Sequence, residues 1–254
     1  MIPKTIHYCW FGRNPKPKLA EKCIKSWKKY CPGYEIIEWN EDNFDIASAP
    51  LYVRQAYEAK KWAFVTDYVR LWALVNYGGI YMDTDVEVIK PLDRFLSHQA
   101  FSGFEDDSHI PTGIMASEKD FPLFVEFLQY YDNAAFYNAD GTISYITNVT
   151  VITNYCVAKG LIQNNTFQTI EGFALYPKEV FCPVSYQTGF LEKTKNAVTI
   201  HWFSGSWKSE ADKKKRVAQR KAARAEFIKH IPNRIAMKIL GLNRYERLKA
   251  KIKK

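Results

Sequence analysis

The chain has 254 residues, of which 47% are hydrophobic and 15% aromatic, so it can bury a sizeable core and is not intrinsically disordered. The net charge of +9 is concentrated in residues 212–254, which hold 16 basic and 3 acidic residues, whereas the other 211 hold 20 and 24. This slightly acidic body excludes a basic nucleic-acid-binding domain, and we expect no nucleic-acid partner.

No apolar run approaches the roughly 18 residues of a membrane-spanning helix, so we expect none. The first five residues lead directly into a strand-like segment, and we expect no signal peptide. The five cysteines are odd in number and form no CxxC pair, which favours free thiols in a reducing compartment. A cytoplasmic location is the resulting prediction.

The first 40 residues predict a β–α–β unit. A strand over 2–8 is followed by a helix over 18–30, where apolar residues recur at helical spacing, and by a strand over 34–40 after a Pro-Gly break. Two strands joined in this way pair in parallel, because a crossover of this length returns the chain to the same end of the sheet.

Helices and short strands alternate through the rest of the body. The predicted helices cover 51–60, 62–77, 120–132 and 148–159, and the predicted strands cover 80–82, 101–104, 113–116, parts of 168–182, and 198–202. Residues 134–147 are predicted to be a loop. The pattern indicates an α/β fold with a mixed central sheet, in which ligands bind beyond the carboxyl ends of strands.

Two acids, Asp83 and Asp85, follow the apolar strand that begins after Gly78-Gly79. An extended backbone would place both carboxylates on one face. Because a buried, unpaired carboxylate is unfavourable, this pattern predicts a divalent cation, and Mg²⁺ or Mn²⁺ would also bind the phosphates of a ligand. The alternative is a solvated turn, since Asp-x-Asp also occurs by chance.

Other candidates also have a structural alternative. Asp67 and Arg70, at i and i+3 of a predicted helix, share one face and could equally be a surface ion pair. Trp10, after the first strand, could present an exposed indole for stacking or lie in the core. His201, after the last strand, could be a ligand or a hydrogen-bonded strand-end histidine.

Taken together, the motifs are more specific than any one of them. The sequence carries IPKTIHYCWFG at residues 2–12, TDYVR at 66–70, GGIYMDTD at 78–85, and IH and GSW near the end of the body. This combination resembles the DXD-containing sugar transferase family (glycosyltransferase family 32-like), which includes bacterial capsule and lipooligosaccharide glycosyltransferases and, more distantly, clostridial glucosylating toxins. The resemblance covers roughly residues 2–207.

The resemblance implies a GT-A fold, a Rossmann-like nucleotide-sugar-binding fold, in a domain spanning 1–208. It also implies metal-dependent, retaining transfer of a hexose from a nucleotide-sugar, with a UDP-sugar favoured, to a glycan acceptor in bacterial polysaccharide or lipooligosaccharide biosynthesis. The alternatives are a non-catalytic relative that binds glycan or membrane, and a GDP-mannose-dependent mannosyltransferase.

The resemblance also assigns residues to the donor. Asp83, Asp85, Asp67 and Arg70 are expected at the catalytic centre, where the last two contact the donor's ribose and sugar. The expected donor-binding residues are Cys9 and Trp10 at the base, then Asp67, Arg70 and Asp83, and finally Ser206 and Trp207 in a mobile loop over the diphosphate.

The expected cofactor is Mn²⁺ or Mg²⁺, held by Asp85 and His201. Many relatives have two consecutive histidines where this chain has His201-Trp202, so the resemblance leaves open whether Trp202 has replaced a ligand. Glu105 and Asp106 are candidate acceptor contacts, although a solvated acidic loop is the alternative. Asp107 and Asn148 are weaker candidates.

Residues 209–254 are predicted to form a basic helical tail. Residues 209–230 have the composition of a basic helix, and 233–254 place isoleucines and leucines at helical spacing between lysines and arginines. Such a segment suits the surface of an anionic bilayer, and a lipid-linked saccharide acceptor would place the enzyme on the inner face of the plasma membrane. The alternatives are a solvated helix and an oligomer contact.

Overall fold

The predicted β–α–β unit opens the fold. In the computed structural model, which describes residues 1–192, 194–205, 210–230 and 250, it consists of β1 (Thr5–Cys9), α1 (Lys18–Tyr30) and β2 (Glu35–Trp39). β1 and β2 pair in parallel, with Thr5 opposite Glu35. The apolar stripe of α1 is buried because its spacing matches the 3.6-residue helical repeat.

Two helices then lead back into the sheet beside β1. They are α2 (Leu51–Glu58) and α3 (Trp62–Tyr77), followed by β3 (Gly79–Met82), which pairs in parallel with β1. α3 ends at Gly78, where φ is +66°. A Cβ at Gly79 would lie 2.7 Å from the carbonyl oxygen of Thr5, so glycine permits the close packing of β3 on β1.

The remaining strands and helices complete the described fold. They are β4 (Val86–Val88), β5 (Ala100–Gly103), β6 (Ile114–Ser117), α4 (Pro122–Gln129), α5 (Asn148–Ala158), β7 (Gln168–Ile170), β8 (Phe173–Tyr176), α6 (Lys178–Phe181), β9 (Thr199–His201) and α7 (Glu210–His230). Seven strands have the order β2-β1-β3-β6-β5-β8-β7, and β4 pairs with β9 in a separate sheet. β6 runs antiparallel to β3, so the predicted α/β class with a mixed sheet is confirmed.

The strands expected within 168–182 are β7 and β8, and Pro177 then precedes the short helix α6. The backbone through Asp83 and Asp85 is a turn rather than an extended strand, and the Val86 amide donates to the Asp83 carbonyl over 2.9 Å. The turn is needed because the chain leaves the main sheet here to pair β4 with β9.

The histidine of the first motif belongs to the core. His7 is fully buried, its Nε2 lies 2.8 Å from the Gly78 carbonyl oxygen, and its Nδ1 accepts from the Trp39 indole at 3.2 Å. Burial lowers the pKa of His7, so the ring is held neutral. Both nitrogens therefore link β1 to β2 and to the α3–β3 junction.

The described chain divides into two compact units. The first contains residues 1–186 and 190–205, and the second contains residues 187–189 and α7. Within the second unit, Arg224 donates to the Thr188 carbonyl. None of the helices described combines the length and apolar character needed to cross a bilayer. The amphipathic segment predicted over 233–254 lies outside the described residues, apart from residue 250.

Candidate active site

Three potential metal ligands converge at the end of β3. Asp83 and Asp85 lie in the turn that follows the strand, and His201 ends β9, which pairs with β4 so that His201 lies opposite Val86. One ligand atom from each of the three side chains lies within 4.8 Å of the others. Residues more than 100 positions apart in the chain thus meet in one cluster with the oxygen and imidazole ligands of a divalent-cation site.

Asp85 and His201 form one half of this cluster, at the end of β9. The His201 Nε2 lies 3.3 Å from Asp85 Oδ1, and the Ser204 amide donates to Asp85 Oδ2 at 2.7 Å. Burial alone would raise the pKa of Asp85, but His201 and Ser204 outweigh it and hold that pKa far below its ordinary value. Burial would likewise lower the pKa of His201, but the Asp85 carboxylate holds it well above the ordinary value.

The side chain that faces Asp85 is His201 and not Trp202. The Trp202 indole donates to Glu87 Oε2 at 3.0 Å, while only its backbone amide reaches Asp85, donating to the carbonyl oxygen at 3.0 Å. Alternation along the strand explains this division, because adjacent side chains point to opposite faces. The position beside Asp85 is therefore filled by His201.

Gly113 makes room for the histidine ring. A Cβ at this position would lie 2.6 Å from His201 Cε1, closer than any packing allows. The Gly113 carbonyl also accepts from the Asp83 amide at 2.8 Å. This glycine thus fixes the turn with its carbonyl and admits the imidazole with its missing side chain.

Asp67 and Arg70 form a buried pair, so the surface-pair alternative is wrong. The two residues are 9% and 4% exposed. Arg70 Nη2 donates to Asp67 Oδ1 at 3.1 Å, and Nη1 lies 3.3 Å from Asp83 Oδ1 and also donates to the Thr112 carbonyl. One guanidinium thus joins α3 to the acid turn and to the segment before β6.

Tyr81 completes this part of the site, and the sequence analysis did not identify it. Its hydroxyl donates to Asp83 Oδ1 at 2.7 Å, and the Arg70 guanidinium lies 4.7 Å from its ring centre. The available signal was period-two spacing, since Tyr81 and Asp83 are separated by one residue at the end of a strand. The roles of the Thr112 carbonyl and of Gly113 had no sequence signal.

Burial shifts the protonation of this pair. Burial raises the pKa of Asp67 to about 7, although Arg70 opposes the shift. Burial would lower the pKa of Arg70, but Asp83 and Asp67 together hold it above its ordinary value. One guanidinium shared by two carboxylates leaves negative charge uncompensated, and this suits a site for ligand hydroxyls or a further cation.

The acidic loop contributes two half-buried candidates, Glu105 and Asp106. Burial raises the pKa of Glu105 to about 7, and the nearby His201 charge lowers it in part. Asp106 instead organises the loop, because its Oδ1 accepts from the Ser108 and His109 amides at 2.8 Å. Glu105 therefore lies in the electrostatic neighbourhood of the metal-ligand cluster, whereas its neighbour holds the loop conformation.

The predicted base-binding pair lies at the end of β1. Cys9 is buried, and its thiol neighbours Tyr81 and Thr66. The Trp10 side chain is half-buried and its indole donates to the Asn14 carbonyl at 2.6 Å, so the ring is held in place without lying wholly in the core. Its role in stacking stays a prediction.

Three predicted site residues remain. Asn148 begins α5 and is buried, with its amide nitrogen 3.5 Å from the Asp67 carbonyl oxygen. Ser206 and Trp207, predicted to cover the donor diphosphate, lie outside the described residues.

Sequence comparison identifies the region that carries the acid turn. Residues 17–102 match the family described as glycosyltransferase sugar-binding region containing DXD motif. The predicted resemblance to DXD-containing sugar transferases is therefore confirmed for this region. The seven-stranded mixed sheet agrees with the predicted GT-A fold.

Individual relatives are distant in sequence, and this chain matches only part of each. Inositol phosphoceramide mannosyltransferase 3 of Schizosaccharomyces pombe is 30% identical over 139 residues, which are 53% of this chain and 38% of that protein. Uncharacterized glycosyltransferase L373 of Acanthamoeba polyphaga mimivirus is 27% identical over 171 residues, 60% of this chain and 66% of that protein. The match thus spans well under half of the fungal mannosyltransferase.

Among solved structures, the galactosyltransferase LgtC in complex with donor and acceptor sugar analogs is 13% identical, with a TM-score of 0.42. The similarity covers 87% of this chain and 95% of that one.

Proposed function

We propose that this chain, whose residues 17–102 carry the sugar-binding region of DXD-containing glycosyltransferases, is a metal-dependent, retaining glycosyltransferase. It moves a hexose from a nucleotide-sugar to a glycan acceptor. The observation that carries the proposal is the meeting of Asp83, Asp85 and His201 within 4.8 Å, beside the buried Arg70–Asp67 pair. Clustering these charged side chains away from water is unfavourable without a ligand, which supports a ligand site here.

The residues present fit a Mn²⁺ or Mg²⁺ ion. Asp85 and His201 would hold it, with Asp83 adjacent, and their carboxylate and imidazole donors suit Mn²⁺ in particular. When bound, the ion would supply positive charge against the diphosphate leaving group. The His201 Nε2 already faces Asp85, so the ring needs no reorientation to become a ligand.

Donor positioning falls to the other half of the site. Arg70 and Asp67 are fixed by burial and by contacts to the chain on both sides, so they would hold the donor's ribose and hexose in one orientation. Cys9 and Trp10 would hold the nucleobase at the end of β1, and Ser206 and Trp207 would cover the diphosphate. A closed cover would exclude water and so limit hydrolysis of the activated sugar.

In the proposed transfer, the bond between the sugar C1 and the diphosphate oxygen breaks as the acceptor hydroxyl oxygen bonds to C1 from the same face. The hydroxyl proton passes to the leaving diphosphate, which balances the charge. Asp67 and Glu105, whose pKa values are raised to about 7 by burial, would contact sugar hydroxyls near this reaction. Glu105 is the stronger acceptor candidate, since Asp106 is occupied within its own loop.

A UDP-sugar is the favoured donor, from the resemblance to lipooligosaccharide and capsule transferases. GDP-mannose is the second candidate, because two of the fungal relatives are named inositol phosphoceramide mannosyltransferases. The two candidates make opposite predictions in a donor panel, since the site must accept either uracil or guanine beside Trp10.

The proposed setting is bacterial polysaccharide or lipooligosaccharide synthesis on the cytoplasmic face of the plasma membrane. The support is the basic tail, of which α7 (Glu210–His230) is described, with exposed lysines on it. Lysines near an anionic surface favour binding by about 1 kcal/mol each. Liposome flotation of the full chain and of a chain ending at residue 230 would test this, and equal flotation would exclude residues 231–254 as the anchor.

Nucleotide release is the decisive test. The chain is incubated with Mn²⁺ or Mg²⁺ and a panel of UDP- and GDP-sugars, and the released nucleotide is measured. We expect metal-dependent release from one donor class, abolished in Asp85→Asn and retained in the matched surface variant Asp45→Asn, whose carboxylate is exposed. No release and no nucleotide binding would instead support the non-catalytic, glycan-binding alternative.

A further inference from the structure

A groove with a volume of about 700 Å³ is formed by α4, α5 and the loop 133–147. Its lining does not include the metal-ligand cluster or the Arg70–Asp67 pair. The volume lies within the range of small-molecule sites, roughly 300–1,000 Å³. Nothing in the proposed chemistry uses this groove.

The lining is aromatic and neutral. Its main side chains are Gln129, Tyr130, Asn133, Tyr137, Asn138 and Tyr155. No lysine, arginine or histidine lines it, so it is poorly suited to a phosphate, a nucleotide or an acidic peptide. The one charged residue in the lining is Glu126, whose carboxylate lies 3.1 Å from the Lys159 ammonium, which Glu171 also contacts at 2.9 Å.

This combination matches an uncharged saccharide. A pyranose ring has one face of C–H groups, which packs on an aromatic ring, and hydroxyls at its edge, which both donate and accept hydrogen bonds. Three tyrosine rings supply the first kind of contact. Asparagine and glutamine amides supply both a donor and an acceptor. Among the residues that the structure describes, the side chains of Gln129 and Asn133 have no hydrogen-bond partner and are available to a ligand.

The groove is held in shape before any ligand binds. Tyr137 pairs with Ile143 across the loop, and the Asn138 amide donates to Thr142 Oγ1 at 2.9 Å. Phe136, fully buried, anchors the base of the loop, and the Tyr155 ring packs edge-on against Phe127. A preformed site loses less conformational entropy on binding.

One wall leads to the candidate active site. Ser144 and Ile146 line the groove, and two residues later Asn148 begins α5 with its amide 3.5 Å from the Asp67 carbonyl oxygen. We infer that the groove binds uncharged sugar residues of the acceptor glycan, beyond the sugar that receives the transferred hexose. The assignment of this ligand to the acceptor rests on the proposed function.

Direct binding tests the inference without catalysis. Mannotriose, maltotriose and a galactose-containing trisaccharide are titrated into the chain with EDTA and without nucleotide, followed by protein-observed NMR. We expect at least one trisaccharide to bind. The Asn133→Ala/Tyr137→Ala double variant should weaken it about 5- to 30-fold, because an aromatic contact and a hydrogen bond are both lost.

The matched control is Tyr30→Ala, a half-buried tyrosine at the end of α1 in the other hydrophobic cluster, which should bind as the unchanged chain does. Absence of binding by all three sugars, or equal binding by both variants, would overturn the inference. Weaker vesicle binding by the double variant with unchanged sugar binding would assign the groove to lipid and also overturn it. Trisaccharide binding in the groove by a chain that turns over no nucleotide-sugar would sustain the site and reject the proposed function alone.

Discussion

The two aspartates of the acid turn belong to regions of opposite character. Asp83 is balanced from within the protein, since the Arg70 guanidinium and the Tyr81 hydroxyl both contact its Oδ1. Among the residues that the structure describes, Asp85 makes no ion pair with an arginine or lysine and instead contacts His201, whose charge depends on a proton. In the proposed function, Asp83 is fixed as part of the donor-binding surface, whereas the partner of Asp85 can exchange its proton for a metal ion.

The largest expected effect is at Asp85, whose partner His201 can exchange its proton for a metal ion in the proposed function. Asp85→Asn removes the charge that attracts the ion while keeping the side-chain shape, so nucleotide release should fall by about three orders of magnitude. Electron paramagnetic resonance of added Mn²⁺ should show the loss of bound ion in parallel. A variant with full metal-dependent activity would show that Asp85 is not the ligand.

The contacts of Arg70 with Asp67 and Asp83 should contribute most to the stability of the fold. Arg70→Leu leaves the buried Asp67 and the half-buried Asp83 without their cation, so the free energy of unfolding in urea should fall by about 3 kcal/mol. Adding Asp67→Asn to this variant removes one of the stranded charges and should recover part of the loss. A double variant no more stable than Arg70→Leu would show that the pair does not act as a unit.

The affinity of Asp85 and His201 for a metal ion should depend on pH. Asp85 holds the pKa of His201 well above its ordinary value, so at neutral pH the ion must displace a proton from the ring. The apparent Mn²⁺ affinity should therefore rise about tenfold per pH unit between pH 6 and 7.5. Isothermal titration in two buffers of different ionisation enthalpy would count the released proton. In His201→Gln this pH dependence should be absent, and its persistence would place the proton elsewhere.

The smallest expected effect tests how far Asp83 depends on Tyr81. Tyr81→Phe removes one hydrogen bond to a carboxylate that keeps its guanidinium partner, so the loss in donor binding should be about 1–2 kcal/mol. Donor affinity by equilibrium titration measures this. Equal losses of donor affinity in Tyr81→Phe and in Arg70→Leu would mean that the cation contributes no more than the hydroxyl to fixing Asp83.

Much of the fold was predictable because its signals are local. The helical spacing within residues 18–30 and 62–77, and the glycines that end the second helix, each arise from neighbouring residues. The turn at Asp83 stayed an alternative to an extended backbone because it depends on β4 leaving the main sheet to pair with β9, a strand more than 100 residues away. The helix at Lys178–Phe181 had no sequence signal, because a four-residue helix after a proline has too few turns to show a period.

The same limit explains the site. The carboxylates and His201 were predicted as residue types, whereas their partners were not, since a backbone carbonyl at Thr112 and a missing Cβ at Gly113 leave no chemical mark in a sequence. Burial of the Asp67–Arg70 pair was open for a related reason. Spacing places the two on one face of a helix, but only tertiary packing decides whether that face meets water.

The pairing of β4 with β9 has a consequence for how the site assembles. Asp67 and Arg70 are 3 positions apart, whereas the Ser204 amide reaches Asp85 across 119 positions. The entropy cost of closing a loop increases with its length, so the local Asp67–Arg70 contact can form early in folding, whereas the contact between Ser204 and Asp85 closes late. An ion that binds Asp85 and His201 only when this late contact is formed would therefore stabilise it. The ion concentration would then set the fraction of molecules in which the last-formed part of the protein is closed.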